Sequence, residues 1–320
     1  MLLSLLLIIP FLGALLITLI PGDRNSAFYR SFSVVVLIAQ CVASAALLIP
    51  FNPADSGLQL IEQVSWLPSI GLDYALAVDG LSMPLLLMNG VLCLVAALAS
   101  RSIENRPRIY FALLLVISGA VNGAFLAQNL LLFFLFYELE LIPLWMLIAI
   151  WGGANRAYAS TKFLIVTAVS GMLILGAFLG LALLSGSVDF NLNPVMPGAL
   201  PIATQLLLMG ALLIGFGIKI PLFPFHTWLP DAHTEASTPV SVLLAGVLLK
   251  LGTYGLLRFC LGLFPEAWHL AAPWLAGWAA VSVLYGSLAA IAQTDMKKMV
   301  AYSSVGHMGY VLLALSLIHI

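Results

Sequence analysis

The sequence has little charge. Only 8% of its 320 residues are charged, whereas 62% are hydrophobic and the mean hydropathy is +1.12. Soluble domains carry roughly a quarter charged residues, so this composition excludes a soluble globular fold and indicates an integral membrane protein. The formal net charge of −1 leaves no electrostatic basis for binding nucleic acid.

Cysteine is also scarce. Cys41, Cys93 and Cys260 are far apart and form no C-x-x-C pair, so the chain offers no ligand set for an iron–sulfur cluster. We interpret the three thiols as small buried hydrophobes. The spacing of Asp231 and His233 in LPDAH does not match H-E-x-x-H, so no metal site is expected there. No phosphate-binding loop or nucleophile elbow is recognisable, and no cofactor is expected in this chain.

Long apolar runs are abundant. Segments near the length that crosses a bilayer, about 20 residues, recur along the chain and predict an all-α, polytopic fold with about ten transmembrane helices. The first segment has no basic n-region or cleavage site, so we expect a retained helix. The Pro-, Gly-, Asn- and Asp-containing stretches 51–79 and 186–203 are interpreted as loops on the non-cytoplasmic face. The expected spans are 2–20, 31–50, 80–100, 109–128, 130–151, 161–185, 204–235, 239–260, 271–292 and 299–320.

Basic residues are unevenly distributed between the loops. If the helices alternate in direction, the loops after even-numbered spans offer only Arg258, at an edge. The positive-inside rule then predicts that the other set of loops is cytoplasmic or stromal and that the N-terminus lies on the lumenal or periplasmic side. The basic residues after odd-numbered spans are Arg24, Arg30, Arg101, Arg106, Arg108, Arg156, Lys297 and Lys298.

The seventh span contains a helix break. GFGIKIPLFPFHTWLPDAH places Pro221, Pro224 and Pro230 within ten positions of a continuing apolar run. Proline removes a backbone donor and clashes with the preceding turn, and freed carbonyls at membrane depth need partners from protein or from water in a cavity. A charged, discontinuous helix is typical of the ion or substrate path of a transporter.

Four ionisable residues lie well inside the expected spans: Glu138, Glu140, Lys219 and Lys250. Each costs roughly 2.5 to 3.5 kcal/mol at a helix centre on insertion scales, so each needs a function or a partner. One interpretation is a set of structural ion pairs. The other is a proton switch. A carboxylate about 7 Å from a lysine at an effective dielectric near 20 interacts with it by about 2.4 kcal/mol. This energy matches the roughly 2.3 kcal/mol needed to move one charge across 100 mV.

The two acids are not equivalent. Glu138 and Glu140 are two residues apart, about 200° around a helix, so they face different surroundings. We favour Glu138 as the working acid and leave the role of Glu140 open between secondary, structural and interfacial. His226, just after the break, and His307, in the tenth span, are either proton relays or hydrogen-bonded packing residues.

Four stretches carry a resemblance to a known family: QNLLLFFLFYELELIPLWMLIAIWGG, STKFLIVTAVSG, GFGIKIPLFPFHTWLPDAHTEASTPVSVLLAGVLLKLGTYGLLRF and QTDMKKMVAYSSVGHMGY. They resemble the antiporter-like, proton-translocating subunits of respiratory complex I and its photosynthetic relatives, and look most like the branch called NuoM in bacteria, subunit 4 in mitochondria and NdhD in cyanobacteria and chloroplasts. The segment ELELIP resembles the cyanobacterial and chloroplast branch. The segments FYELELIPL, EASTPVSVLL and AQTDMKKMVAYSS together resemble the cyanobacterial versions assigned to carbon dioxide uptake.

The resemblance implies a role for each candidate residue. Glu138 matches the fifth-helix glutamate that modulates a lysine, and Lys219 matches the lysine at the break of the discontinuous seventh helix. Lys250 matches the relay lysine of the eighth helix. His226 and His307 match polar residues along the proposed central axis.

The family has about fourteen helices in two inverted five-helix repeats. We therefore expect three regions here: N-terminal helices in 1–108, a first repeat in 109–260, and the start of a second repeat in 261–320. Because the second repeat stops after about two helices, we expect a partial sequence. The twelfth-helix ionisable residue that would open the other half-channel is then missing, and the chain would not pump on its own.

The resemblance implies function as one subunit of a type I NAD(P)H or ferredoxin:quinone oxidoreductase. NAD(P)H or ferredoxin, iron–sulfur clusters and plastoquinone would belong to partner subunits. The implied partners are other membrane-arm subunits, sister antiporter-like subunits and, in the carbon dioxide uptake branch, a carbon dioxide hydration subunit. The implied location is the cyanobacterial thylakoid, with a bacterial plasma membrane as the alternative. Two other functions stay open: a subunit of a multisubunit cation/proton antiporter, and a scaffold whose buried ions only hold helices together.

Overall fold

The computed structural model describes residues 1–21, 24–186, 189–192, 198 and 200–318. Its described residues contain ten helical spans long and apolar enough to cross a membrane, which confirms the predicted number. The predicted loop 186–203 and the C-terminal end of the last span lie partly outside the described residues. The helices are α1 Leu2–Leu19, α2 Ser26–Ala46, α3 Ser82–Ala99, α4 Pro107–Leu126, α5 Leu130–Leu139, α6 Leu141–Trp151, α7 Arg156–Leu184, α8 Ile202–Lys219, α9 Trp228–Glu235, α10 Thr238–Leu243, α11 Leu249–Gly255, α12 Pro265–Ile291 and α13 Met296–Ser316.

Two of the ten spans consist of more than one helix. The span Leu130–Trp151 comprises α5 and α6, and the span Thr238–Leu261 comprises α10 and α11 with π-helical turns at Leu244–Leu248 and Leu256–Leu261. The expected seventh span, 204–235, is divided: α8 ends at Lys219, and the short α9 begins only at Trp228. The prediction of a discontinuous helix is therefore confirmed.

The chain forms two compact units. Unit 1 contains Met1–Trp151 and Ser237–Val247, and unit 2 contains Gly152–Ala236 and Leu248–Ile320. The regions expected from the family, 1–108, 109–260 and 261–320, divide the chain differently and stay a prediction about repeats.

The stretch 51–79 is not only a loop, as was expected from its turn residues. It contains an antiparallel hairpin of β1 Gln59–Leu67 and β2 Leu72–Val78, joined through a short 3₁₀ turn at Pro68–Ile70. Irregular register between Gln59 and Glu62 and between Ser65 and Leu67 obscures the period-two pattern by which a strand is recognised. The strand β2 is largely buried, whereas β1 is mostly exposed.

Glu62 of the hairpin caps the N-terminus of α1. Its carboxylate accepts hydrogen bonds from the backbone N–H of Leu3 at 2.9 Å and of Ser4 at 3.0 Å. Partial burial acts to raise the pKa of Glu62, but hydrogen bonds from the amine of Met1, from Ser4 and from the helix backbone outweigh it, so the pKa lies below its usual value. A carboxylate at a helix N-terminus also complements the helix dipole.

Buried polar side chains link α2, α3 and α4 within unit 1. The Asn89 side chain on α3 donates to the Asn122 side-chain oxygen on α4 at 2.8 Å and to the carbonyl of Ser118 at 3.0 Å. The Ser118 hydroxyl donates to Gln40 on α2 at 2.8 Å. All four side chains are fully buried. Polar groups of this kind stabilise helix contacts in lipid, typically by about 0.6 kcal/mol each.

Unit 2 is built on two close helix pairs, α7 with α8 and α12 with α13. The second pair depends on glycine: a Cβ on Gly309 would lie 2.8 Å from the backbone nitrogen of Val283. Because small residues let backbones approach within a membrane, this contact makes α12 and α13 a rigid pair beside the interrupted helix of the seventh span.

Candidate functional site

Lys219 is the last residue of α8, and its side chain is fully buried. Pro221 follows two residues later and has no N–H, so the carbonyl of Gly217 loses its regular helical donor. The N–H of Leu222 replaces that donor at 2.9 Å. The helix therefore ends at a lysine because of the proline that comes after it.

Diverting Leu222 frees the carbonyl of Ile218, which would otherwise be its partner. The indole N–H of Trp228 donates to that carbonyl at 2.9 Å. At membrane depth an unsatisfied carbonyl costs several kcal/mol. The free carbonyl at the break is therefore satisfied by the protein itself, through the indole of Trp228, the first residue of α9.

Helix α12 anchors the chain between α8 and α9. The N–H of Phe223 donates to the Ser282 hydroxyl at 3.2 Å, and the indole N–H of Trp278 donates to the carbonyl of Phe223. Both polar groups of one loop residue are thus held by a single neighbouring helix, which fixes the path of the break.

His226 lies in this loop and is buried. Its ring is 4.7 Å from that of Tyr285 and 6.0 Å from that of Tyr302, measured between ring centroids, and it stacks on Phe223 at 5.7 Å. Within the described part of the chain, no group hydrogen-bonds to its Nδ1. The histidine thus lies near two phenol rings beside the break, an arrangement that suits either a relay or a packing residue.

A partly exposed ion pair links α7 and α9. Lys162 on α7 donates to Asp231 on α9 at 2.7 Å, and the two side chains are 24% and 34% exposed. From the sequence, Asp231 was weighed only as a metal ligand, and Lys162 was not a candidate. No pattern joins residues 69 positions apart, so only the packing of α9 against α7 reveals the pair.

Lys250 is half-buried on α11, between the two π-helical turns. This helix packs directly on the end of α8, because a Cβ on Gly252 would lie 2.6 Å from Ile220 Cγ2 and 3.4 Å from Lys219 Cβ. The structure therefore brings the lysine-bearing helix α11 against the terminus that carries Lys219. The π turns were not predicted, although such turns often occur at functional sites.

Replacing Gly252 with alanine is expected to push α11 away from the end of α8. The new methyl group overlaps Ile220, a buried residue, and overpacking of this kind costs roughly 1 to 3 kcal/mol. Thermal unfolding of the purified protein in detergent measures the loss.

Gly277→Ala is the matched control for that substitution. Gly277 lies inside α12, and apart from adjacent residues and the backbone of α12 itself, no atom of the described residues lies within 4 Å of the position that an alanine methyl group would occupy there. Alanine is also the better helix former by about 1 kcal/mol. Gly277→Ala should leave stability unchanged or raise it. Equal unfolding temperatures for the two variants would contradict the close contact at Gly252.

The acids lie in unit 1, at a second interruption. Helix α5 ends at Leu139, Glu140 is a turn residue, and α6 begins at Leu141. Pro143 explains the break, because it cannot donate to the carbonyl of Leu139. The expected span 130–151 is confirmed as Leu130–Trp151, and the turn at Glu140 within it was not predicted.

The two carboxylates differ in burial. Glu140 is fully buried, and its neighbours one turn away, Tyr137 and Leu144, are buried with it. Glu138 is half-buried, and Leu135 and Ile142, one turn before and after it, are 47% and 52% exposed. The acids therefore face different surroundings, as expected: Glu140 is fully buried in unit 1, whereas Glu138 is half-buried.

His307 does not join the other candidates. It is exposed on α13, while its neighbours Val305 and Met308 are buried. The side of α13 that packs against other helices therefore excludes His307. Its expected position along a central axis stays a prediction.

Comparisons with known proteins identify relatives of the chain. Residues 127–319 match the family described as NADH:quinone oxidoreductase/Mrp antiporter, transmembrane. The chain is 45% identical over 316 residues to NAD(P)H-quinone oxidoreductase chain 4 2 of Thermosynechococcus vestitus, covering 98% of this chain and 59% of that protein.

Two solved structures are similar over nearly the whole chain. A chain of respiratory complex I from Thermus thermophilus with bound NADH matches with a TM-score of 0.87 and 31% identity, over 99% of this chain and 64% of that chain. A chain of the Mrp complex from Dietzia sp. DQ12-45-1b matches with a TM-score of 0.82 and 23% identity, over 98% of this chain and 34% of that chain. The second similarity shows the fold alone.

Proposed function

Because this chain belongs to the NADH:quinone oxidoreductase/Mrp antiporter transmembrane family, we propose that it is a proton-translocating membrane-arm subunit of a type I NAD(P)H or ferredoxin:quinone oxidoreductase. The observation that supports this most directly is Lys219, a fully buried lysine at the end of an interrupted helix. Intramembrane lysines at helix breaks are expensive, and they mark ion and proton paths.

The proposed path within unit 2 joins Lys219 to Lys250, with His226 beside the break. Two observations support it: Gly252 places α11 against the end of α8, and the ring of His226 lies near two tyrosine rings. Lysine suits this role because its charge state responds to burial, whereas arginine stays charged. His307 keeps a proposed relay role only through the resemblance, since it is exposed.

Glu138 is the proposed acid that modulates Lys219, as the resemblance implies. Its half-buried position suits a group that exchanges protons or changes partner. Glu140 is fully buried in unit 1, and a buried carboxylate needs hydrogen bonds or a counter-charge. For Glu140 we propose a structural role.

The chain spans 59% of the length of its Thermosynechococcus relative, so the reaction is proposed for the complete complex. NAD(P)H or ferredoxin, iron–sulfur clusters and plastoquinone would act in partner subunits, and the neighbours would include sister antiporter-like subunits. The proposed location is a thylakoid membrane, with a bacterial plasma membrane as the alternative, and the N-terminus on the lumenal or periplasmic side. A carbon dioxide hydration partner belongs to this proposal only through the resemblance to the uptake branch.

The second candidate is a subunit of a multisubunit cation/proton antiporter. The fold shared with the Mrp complex of Dietzia favours it. Sealed inverted vesicles containing the complete complex distinguish the two candidates. We expect NAD(P)H or reduced ferredoxin, with quinone, to drive acidification of the lumen in sodium-free buffer. Proton movement that requires sodium and no electron donor would establish the antiporter instead.

A further inference from the structure

A cavity of about 260 Å³ opens on unit 1 between the arginine-rich ends of α2 and α3. It combines two guanidinium groups with an apolar wall one turn deeper along each helix. The residues that line it are Arg30, Ser31, Val34, Val35, Leu98 and Arg101.

An apolar surface continues from this cavity along both helices. The two helices pack against each other; a Cβ on Gly90 of α3 would lie 3.1 Å from Cys41 Sγ on α2. Exposed aliphatic side chains recur at steps of three and four residues, the spacing of a single helix face. Those on α2 are Val35, Ile38 and Val42, and those on α3 are Val91, Val95 and Leu98.

Arg30 and Arg101 are available to bind an anion. Among the residues that the structure describes, neither arginine has an acidic side chain within salt-bridge distance. The connecting segments around them, 20–31 and 100–108, contain five arginines and two acidic residues. This end of unit 1 therefore carries a local excess of positive charge.

We propose that this cavity and the adjoining apolar surface bind an anionic phospholipid. The guanidinium groups of Arg30 and Arg101 pair with the phosphate, for which arginine's planar donor geometry is suited. One acyl chain lies along the aliphatic surface of α2 and α3. The occupant is a lipid because charge is confined to one end and the remaining contact is bulky aliphatic, whereas helix partners in membranes meet through small and polar residues.

The test places a photoreactive benzoylphenylalanine at Leu98 in the complete complex. The complex is reconstituted in bilayers of phosphatidylcholine with a minority of phosphatidylglycerol, and the lipid adducts at that position are identified by mass spectrometry. Phosphatidylglycerol adducts should be enriched over the bulk composition. Each arginine near the surface contributes about a five-fold preference, so Arg30→Gln with Arg101→Gln should lower the enrichment by about thirty-fold.

Two control variants separate a site from general attraction. Arg156→Gln with Lys298→Gln removes the same charge at other basic positions and should leave the enrichment unchanged. Arg30→Lys with Arg101→Lys should retain most of it. Three results would each overturn the proposal. The lipid adducts could follow the bulk composition, the Arg156 and Lys298 variant could lose the phosphatidylglycerol enrichment equally, or Leu98 could crosslink to a neighbouring polypeptide.

Discussion

A complete complex that carries Glu138→Gln is expected to assemble and to pass electrons but to lose proton pumping. Glutamine keeps the size and hydrogen-bonding capacity of the side chain and removes its charge. In the proposed switch, a carboxylate about 7 Å from an ammonium group at an effective dielectric near 20 changes the proton-binding constant roughly fifty-fold, so its loss should abolish the switch. Acidification of vesicles, measured beside quinone reduction in the same preparation, gives the ratio of protons to electrons.

Glu140→Gln is the matched control, because it makes the same change two residues away on the same segment. Glu140 is buried in unit 1, so its loss should lower the thermal stability of the complex while the remaining assembled fraction pumps normally. Normal pumping by the Glu138 variant would rule out the assignment of Glu138. Loss of pumping in the Glu140 variant alone would transfer the role to Glu140.

Replacing Lys219 with methionine should abolish coupling in complexes that still assemble. Methionine fills a similar volume without a charge, and the carbonyl contacts at the break, made by Leu222 and Trp228, do not involve the lysine side chain. If the lysine only held helices together, its removal would cost about 3 to 5 kcal/mol by leaving a buried charge unpaired, with pumping intact in what assembles. Unfolding temperature and proton yield should therefore be measured on the same sample.

Lys162→Met is the comparison for that variant. Lys162 forms an ion pair with Asp231 whose two members are 24% and 34% exposed, and a partly exposed pair contributes about 0 to 1 kcal/mol. We expect the Lys162 variant to lose little stability and to keep pumping, whereas the Lys219 variant stops pumping. This result would distinguish the roles of the two lysines. A retained proton gradient in the Lys219→Met complex would favour the scaffold interpretation.

The number of spans was predictable from sequence because a bilayer demands helices of a fixed minimum length. The break after Lys219 was predictable for a related reason, since Pro221 removes a specific donor. What sequence could not supply is the replacement: Trp228 satisfies the carbonyl of Ile218 from ten positions away, and that contact depends on the course of the intervening loop.

One missed feature is local and the others depend on packing. Pro143 explains the interruption at Glu140 by the same rule as Pro221, so that turn could have been predicted from the sequence. The Lys162–Asp231 pair and the contact of Gly252 with the end of α8 exist only after α9 and α11 have packed. The exposure of His307 likewise depends on which side of α13 packs against its neighbours. The sequence does not reveal that side, because the polar residues of α13 are spread around the helix.

The buried amides of unit 1 have a consequence for biogenesis. Asn89 and Gln40 each find a partner on α4, at Asn122 or Ser118. A helix released singly into lipid would expose its carboxamide to hydrocarbon, where no partner exists. The amides of α2 and α3 therefore gain these partners only after α4 has been inserted beside them, so α4 completes the polar contacts of both helices.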